Sequence, residues 1–192
     1  MIDKIFVVTS NKYKKWEFHE TFVRYLPKIN IAFKSQKFHE SCCVSPEENV
    51  RNKALQAFKS FKKPVLIDDT LFFLNKYNDF PGMHAKWLMN SIGINGILRL
   101  TNNGDKALFR SYLGFYDGKI LRVFKGEING RLLVKIDRKK MRKGLDYSAL
   151  FVPRGEKIPM ADFYKSCIFF NSHRARAVKK FSRFFKKYHE YN

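Results

Sequence analysis

Short continuous apolar runs alternate with amphipathic stretches through the first third of the chain. "IFVV" (5–8), "INIAF" (29–33) and "PVLI" (64–67) are brief, rich in β-branched residues and free of charge. That is the pattern of strands buried on both faces. Between the first two, Trp16, Phe22, Val23 and Leu26 recur at helical spacing, and Pro27 stops the helix. Between the second and third, "SPEENVRNKALQAFKSF" (45–61) opens as a helix should. Ser45 can cap, Pro46 suits the first helical position, and Glu48 completes a capping box. Val50, Ala54, Ala57, Phe58 and Phe61 then form one apolar stripe. Strand, helix and strand in this order predict right-handed βαβ units.

The pattern changes after "FPGMHAKW". A shorter helix is predicted over 94–100. "ALFRSYLGFYDGKILRVFKGEINGRLLVKI" (107–136) then carries two turn signals, Asp117-Gly118 and Asn129-Gly130, which predict an antiparallel meander of about three strands. The last segment, "SHRARAVKKFSRFFKKYHEYN", places Val178, Phe181, Phe184, Phe185 and Tyr188 on one helical face and Lys and Arg on the other. Such a helix packs on a sheet, or lies against a membrane surface or nucleic acid. Parallel units followed by a meander predict an α/β chain with a mixed β-sheet.

Length and charge narrow the picture. The 192 residues suit one domain, 1–192. An apolar content of 45% excludes a disordered chain. Lys and Arg total 38 against 17 Asp and Glu, giving a formal charge of +21. That field attracts polyanions, or it is a compositional bias that solvent absorbs. Cys42, Cys43 and Cys167 have no metal-binding or disulfide spacing, which points to a reducing, cytoplasmic setting. No apolar run approaches the ~20 residues of a spanning helix, and the first residues read as a strand, not a leader; no membrane partner is expected.

Three stretches carry candidate chemistry. "VVTSNKYKK" (7–15) puts hydroxyls, an amide and Lys14 at a strand–helix junction, where free backbone N–H groups favour anions. It lacks the glycines of a Walker or Rossmann loop, and a plain helix cap is the other reading. "IDDT" (67–70) sets Asp68 and Asp69 where a buried strand emerges. Neighbouring carboxylates repel, so a hard cation such as Mg²⁺ would stabilise both; a strand-end turn is the alternative. "NSHRARA" (171–177) places His173 and Arg174 ahead of the last helix, as a phosphate clamp or simply an Arg-rich helix start.

Taken in order, these segments resemble the inosine/xanthosine triphosphate pyrophosphatase family, which removes non-standard purine nucleotides from the pool. "VVTSNKYKK" is similar to that family's "TGN..K" loop, "SPEENVRNKALQAF" to its "EENA..KA" helix and "PVLIDDTLFF" to its "VDDTGL" strand. "DFPGMHAKW" is similar to "FPG.Y..W", "FKGEINGRL" to "F.G...GRI" and "NSHRARAVKKF" to "SHRARAL". The resemblance implies a long mixed sheet flanked by helices, two lobes with a central cleft, and a homodimer. It implies Mg²⁺-dependent hydrolysis of a nucleoside triphosphate to monophosphate and pyrophosphate. Carried over by residue, Thr9, Ser10, Asn11 and Lys14 would hold phosphates and Lys53 would face them. Glu40 and Asp69 would bind metal, with Asp69 the general base and Asp68 beside it. Thr70, Lys86, Tyr147, Ser148, His173 and Arg174 would contact the nucleotide.

The base-pocket strip departs from the family. "GFGYDP.FVP" becomes "GLDYSALFVP" (144–153), so Leu145 replaces a stacking aromatic, Asp146 a Gly, Ser148 an Asp and Ala149 a Pro. Ile168 stands where the family has a Lys. The phosphate half is kept and the base-reading half is rewritten, which implies altered or relaxed base selectivity. Positions 146 and 148 are expected to share a face of a strand, so that Asp146 could replace the lost carboxylate. The alternative function is a basic protein that binds nucleic acid on the same fold with little catalysis. Weak, non-specific binding beside catalysis is also expected from the charge.

Overall fold

The computed structural model describes residues 2–39, 44–136, 146–165 and 167–190. Elements run β1 (Lys4–Val8), α1 (Lys12–Tyr25), β2 (Asn30–Lys34), α2 (Pro46–Phe61), β3 (Val65–Leu74), β4 (Phe80–Gly82), α3 (Ala85–Leu100), β5 (Lys106–Tyr116), β6 (Leu121–Leu132), β7 (Phe151–Pro153) and α4 (His173–Glu190). Hydrogen bonding orders the described strands β2-β1-β3-β5-β6-β7, with β4 paired to β3. β1 is parallel to β2 and β3, with Val7 opposite Phe33 and Leu66, while β6 and β7 are antiparallel. The sheet is therefore mixed and the chain α/β, as the pattern predicts. No helix among the described residues is long and apolar enough to cross a membrane.

The chain divides into two compact units, residues 1–69, 111–126 and 174–192 in one and 70–110 and 127–173 in the other. In the first unit, period-two alternation sends successive strand residues to opposite layers. Ile5, Val7, Leu66, Leu113 and Phe115 pack with Phe18 and Phe22 of α1 and with Val178, Phe181 and Phe185 of α4. Val8, Val65 and Ile67 pack on the other face with Val50, Ala54 and Ala57 of α2. The apolar stripe of the last helix is thus core, and burying each such Phe stabilises by roughly 1.5–3 kcal/mol. In the second unit Phe72 stacks on Tyr147 at 4.3 Å and contacts Phe109 at 4.7 Å, and Phe109 meets Phe151 edge-on at 5.0 Å.

Several local expectations change. The strand expected over 64–67 continues to Leu74, so Asp68 and Asp69 lie mid-strand and end nothing. The helix expected over 94–100 is the second half of α3, which breaks at Gly93, where φ is +62°; only a residue without Cβ adopts that cheaply. Asp117 forms the predicted turn, its Oδ1 accepting from Lys119 N and Ile120 N at 2.9 and 2.8 Å. Asn129-Gly130 forms none and lies inside β6. Gly130 is needed there for close approach: a Cβ would stand 2.3 Å from Val152 O of β7. Val23, expected on the buried stripe of α1, is 58% exposed.

Candidate active site

Loop geometry at the first strand–helix junction is set by Asn11. It caps α1, its Oδ1 accepting from Tyr13 N at 2.9 Å and Lys14 N at 3.2 Å. Thr9 Oγ1 accepts from Asn11 N at 3.2 Å, and Ser10 is exposed. Two of the N–H groups expected to be free for an anion are therefore already bonded within the loop. Lys14, whose side chain is 20% exposed, follows on the first turn of α1.

Consecutive residues of a strand face opposite ways, and this separates Asp68 from Asp69. Asp68 faces the α1 and α4 layer and its side chain is 1% exposed. Its Oδ2 accepts from Lys14 Nζ at 2.8 Å and Arg174 Nε at 2.9 Å, and its Oδ1 accepts from Ser111 Oγ at 2.6 Å. Lys14 Nζ also donates to the Asp68 carbonyl at 3.1 Å. Arg174, with its side chain 5% exposed, reaches on through Nη1 to the buried carboxylate of Glu17. The result is an alternating chain of charge, Lys14⁺–Asp68⁻–Arg174⁺–Glu17⁻. Burial alone would raise the Asp68 pKa, but the Arg174 guanidinium and the Lys14 ammonium hold the carboxyl far below the usual carboxylate range.

Asp69 faces the α2 layer. Asn49 and Lys53, one helical turn apart on α2, both donate to its Oδ2, at 3.0 and 2.9 Å. Lys53 is buried, while Asp69 is 29% exposed. The expectation that the two carboxylates repel and share one cation fails, because each has its own layer and its own cations. Asp68 is sealed from solvent, with both oxygens accepting from Lys14, Arg174 and Ser111. Asp69 keeps Oδ1 without a hydrogen bond among the described residues, on a part-exposed side chain. That oxygen suits a hard divalent cation or the proton of a water. Glu40, the other expected metal ligand, lies outside the described residues.

The remaining expected residues belong to the second unit. Thr70 is half-buried in β3, and Lys86 is exposed on α3. Tyr147 is buried, and its hydroxyl donates to Ala85 O at 2.9 Å. Ser148 is buried beside it, and His173 stacks on Phe109 at 5.0 Å. Residues 146–149 form a 3₁₀ turn, not a strand. The strand alternation on which Asp146 is expected to stand in for the family's Asp therefore does not apply there. Leu145 lies outside the described residues.

Sequence reasoning missed Glu17, Asn49 and Ser111. Glu17 had a signal, an acid within the buried set Glu17, Phe18, Thr21 and Phe22. Asn49 stands four residues before Lys53, on the border of the α2 stripe. Ser111 had only its place in the alternation of β5.

Comparison with known proteins comes to the same place. The sequence pattern of the Ham1 family matches residues 5–184. The chain is 32% identical over 189 residues to a dITP/XTP pyrophosphatase of Saccharolobus solfataricus, covering 97% of this chain and 96% of that one. It is 30% identical to a dITP/XTP pyrophosphatase of Pyrococcus horikoshii, covering 95% and 97%. Its fold is similar to that of a HAM1 protein from Coxiella burnetii, with a TM-score of 0.75 at 19% identity over 97% of this chain and all of that one.

Proposed function

The chain belongs to the Ham1 family, and on that footing we propose that it hydrolyses nucleoside triphosphates of non-standard purines, dITP and XTP among them, to the monophosphate and pyrophosphate. Water adds to the α-phosphorus, the bond from that phosphorus to the α–β bridging oxygen breaks, and pyrophosphate leaves. The observation that carries the reading is Asp69: a part-exposed carboxylate with one oxygen held by Asn49 and Lys53 and the other available. Locking Oδ2 orients Oδ1, which accepts the water's proton or binds metal. Lys14 and Lys53 supply positive charge for the triphosphate, and Asp68 with Arg174 keeps Lys14 in place.

The described donor, the Asp69 carboxylate, is of the chemistry a hard metal ion takes. Asp69, with Glu40, would hold Mg²⁺ through hard carboxylate oxygens. Bound there, Mg²⁺ neutralises phosphate charge and lowers the pKa of a coordinated water. Thr70, Lys86, Tyr147, Ser148 and His173 are assigned to the nucleotide by their likeness to the family's motifs. A homodimer in the cytoplasm completes the proposal, and light scattering tests the dimer.

The decisive assay is pyrophosphate release from dITP and XTP with and without Mg²⁺. Release of pyrophosphate with the monophosphate as co-product is expected. Stepwise release of orthophosphate, or no turnover of any purine triphosphate, refutes the reading.

A further inference from the structure

We propose that the solvent face of α4 is a binding surface for the phosphate backbone of a nucleic-acid duplex, separate from the hydrolytic site. Lys179, Lys180, Arg183, Lys186 and Lys187 are all exposed. At 100° per residue they fall within an arc of about 120°, and they span about 12 Å of helix axis. Duplex DNA carries about one charge per 1.7 Å, so that length matches about seven phosphate charges.

The opposite face of α4 is already used. Val178, Phe181 and Phe185 are in the core, with Phe22 and Phe115. A membrane-surface helix needs its apolar face available to lipid; this one has only charge to offer. The basic face also lacks acidic partners among the described residues. Elsewhere some cations are paired, as Arg51 with Glu47, the exposed Lys76 with Asp105 and the half-buried Arg110 with Glu127, while Lys59, Lys63 and Lys106 stand exposed but scattered over other segments. Among the described residues none of the five α4 cations forms an ion pair. Lys180 Nζ donates instead to the Lys125 carbonyl at 2.7 Å, which brings the helix beside β6, where Arg122 and Lys125 add exposed positive charge.

Duplex is favoured over single strand. Binding to a single strand uses aromatic platforms on which bases stack. The aromatic residues of α4 are turned away from this face: Phe184 and Tyr188 stack on each other, and the Tyr188 hydroxyl donates to Asp117 Oδ2 at 3.0 Å. What remains reads charge and spacing only, so binding is independent of sequence.

The test uses the full chain, a 20-base-pair DNA duplex, and two variants that each remove five charges. One replaces Lys179, Lys180, Arg183, Lys186 and Lys187 by Gln. The control replaces Lys59, Lys63, Lys106, Arg154 and Lys157, also exposed. Full occupation of the face gives a slope of log K against log salt near −4.5 from five contacts at about −0.9 each. The α4 variant is expected to reduce the slope's magnitude by at least about 2 and affinity at low salt by at least tenfold, with dITP turnover unchanged. The control should keep the wild-type slope. Equal losses in both variants, no duplex binding at low salt, or binding to phosphatidylserine vesicles without duplex binding each overturn the proposal.

Discussion

Replacing each carboxylate of the Asp68-Asp69 pair by its amide should produce opposite phenotypes. Asp68 is 1% exposed and neutralises two cations, Lys14 and Arg174, the latter 5% exposed. Asp68→Asn leaves those cations facing a neutral amide, with Glu17 still paired to Arg174. Breaking a buried ion pair costs about 3–5 kcal/mol. The amide oxygen retains part of the hydrogen bonding, so the lower end applies, about 3 kcal/mol. For a chain of this size each kcal/mol shifts Tm by about 2–4 °C, which gives a drop of about 6–12 °C. Asp69 is 29% exposed, and Asn at that position still accepts from Lys53. Its loss costs about 1 kcal/mol of stability, yet pyrophosphate release should fall by ~10²-fold or more, the scale of a lost general base. Thermal melts and turnover at a temperature where both variants are folded separate the two. A Tm for Asp68→Asn within 2 °C of wild type, or a larger drop for Asp69→Asn than for Asp68→Asn, refutes the division of roles. The Asp68 carboxyl has a depressed pKa, so its stabilisation is complete above the ordinary Asp value of 3.8 and is lost as pH falls through the folded value. The Tm gap between wild type and Asp68→Asn should therefore narrow only below that pH.

Lys53→Met keeps length and loses charge; forfeiting one charge-assisted bond of about 1.5–3 kcal/mol predicts a kcat/KM loss of roughly 10- to 150-fold on dITP. Glu17→Gln removes the far carboxylate of the buried chain while Arg174 keeps Asp68, so urea unfolding should show a lower midpoint at unchanged slope, with a cost below that of Asp68→Asn. Base selectivity should be modest, because Ser148 and Ile168 stand where the family has fixed charges. Side-by-side kcat/KM values should differ less than a hundredfold between dITP or XTP and the adenosine and guanosine triphosphates, and a larger ratio refutes relaxed reading.

The apolar pattern made the layered half of the fold legible because buried strands and helix caps leave local marks. "IFVV", "INIAF" and "SPEENVRNKALQAFKSF" map onto β1, β2 and α2 within a residue. Long-range contacts leave no such mark. Asn129-Gly130 has the composition of a turn, but its glycine answers to Phe151 and Val152 across the sheet. The 3₁₀ turn at 146–149 sits in residues whose pattern reads equally as strand. At the site, the charged residues were visible and their partners were not. Asp69 pairs with Lys53 sixteen residues back, and Asp68 with Arg174 a hundred and six residues on.

The two adjacent aspartates look like one acidic cluster only when the chain is read as a line. In a strand, adjacency means separation: the backbone lies between the two carboxylates and each meets a different helix layer. Their mutual repulsion is then answered by protein cations, two for Asp68 and Lys53 for Asp69, and needs no metal. The case for a divalent ion must therefore rest on Asp69 Oδ1 and Glu40, not on relief of crowded charge. This fixes what calorimetric titration of Mg²⁺ into the nucleotide-free protein should show. Asp69→Asn removes a ligand and should weaken binding at least tenfold. Asp68→Asn removes a charge held by Lys14 and Arg174 on the opposite face of β3, and should leave the affinity within about threefold, which at 1.4 kcal/mol per tenfold is under 1 kcal/mol. Equal weakening by both variants would mean that the ion does bridge the pair and that β3 twists to bring them together.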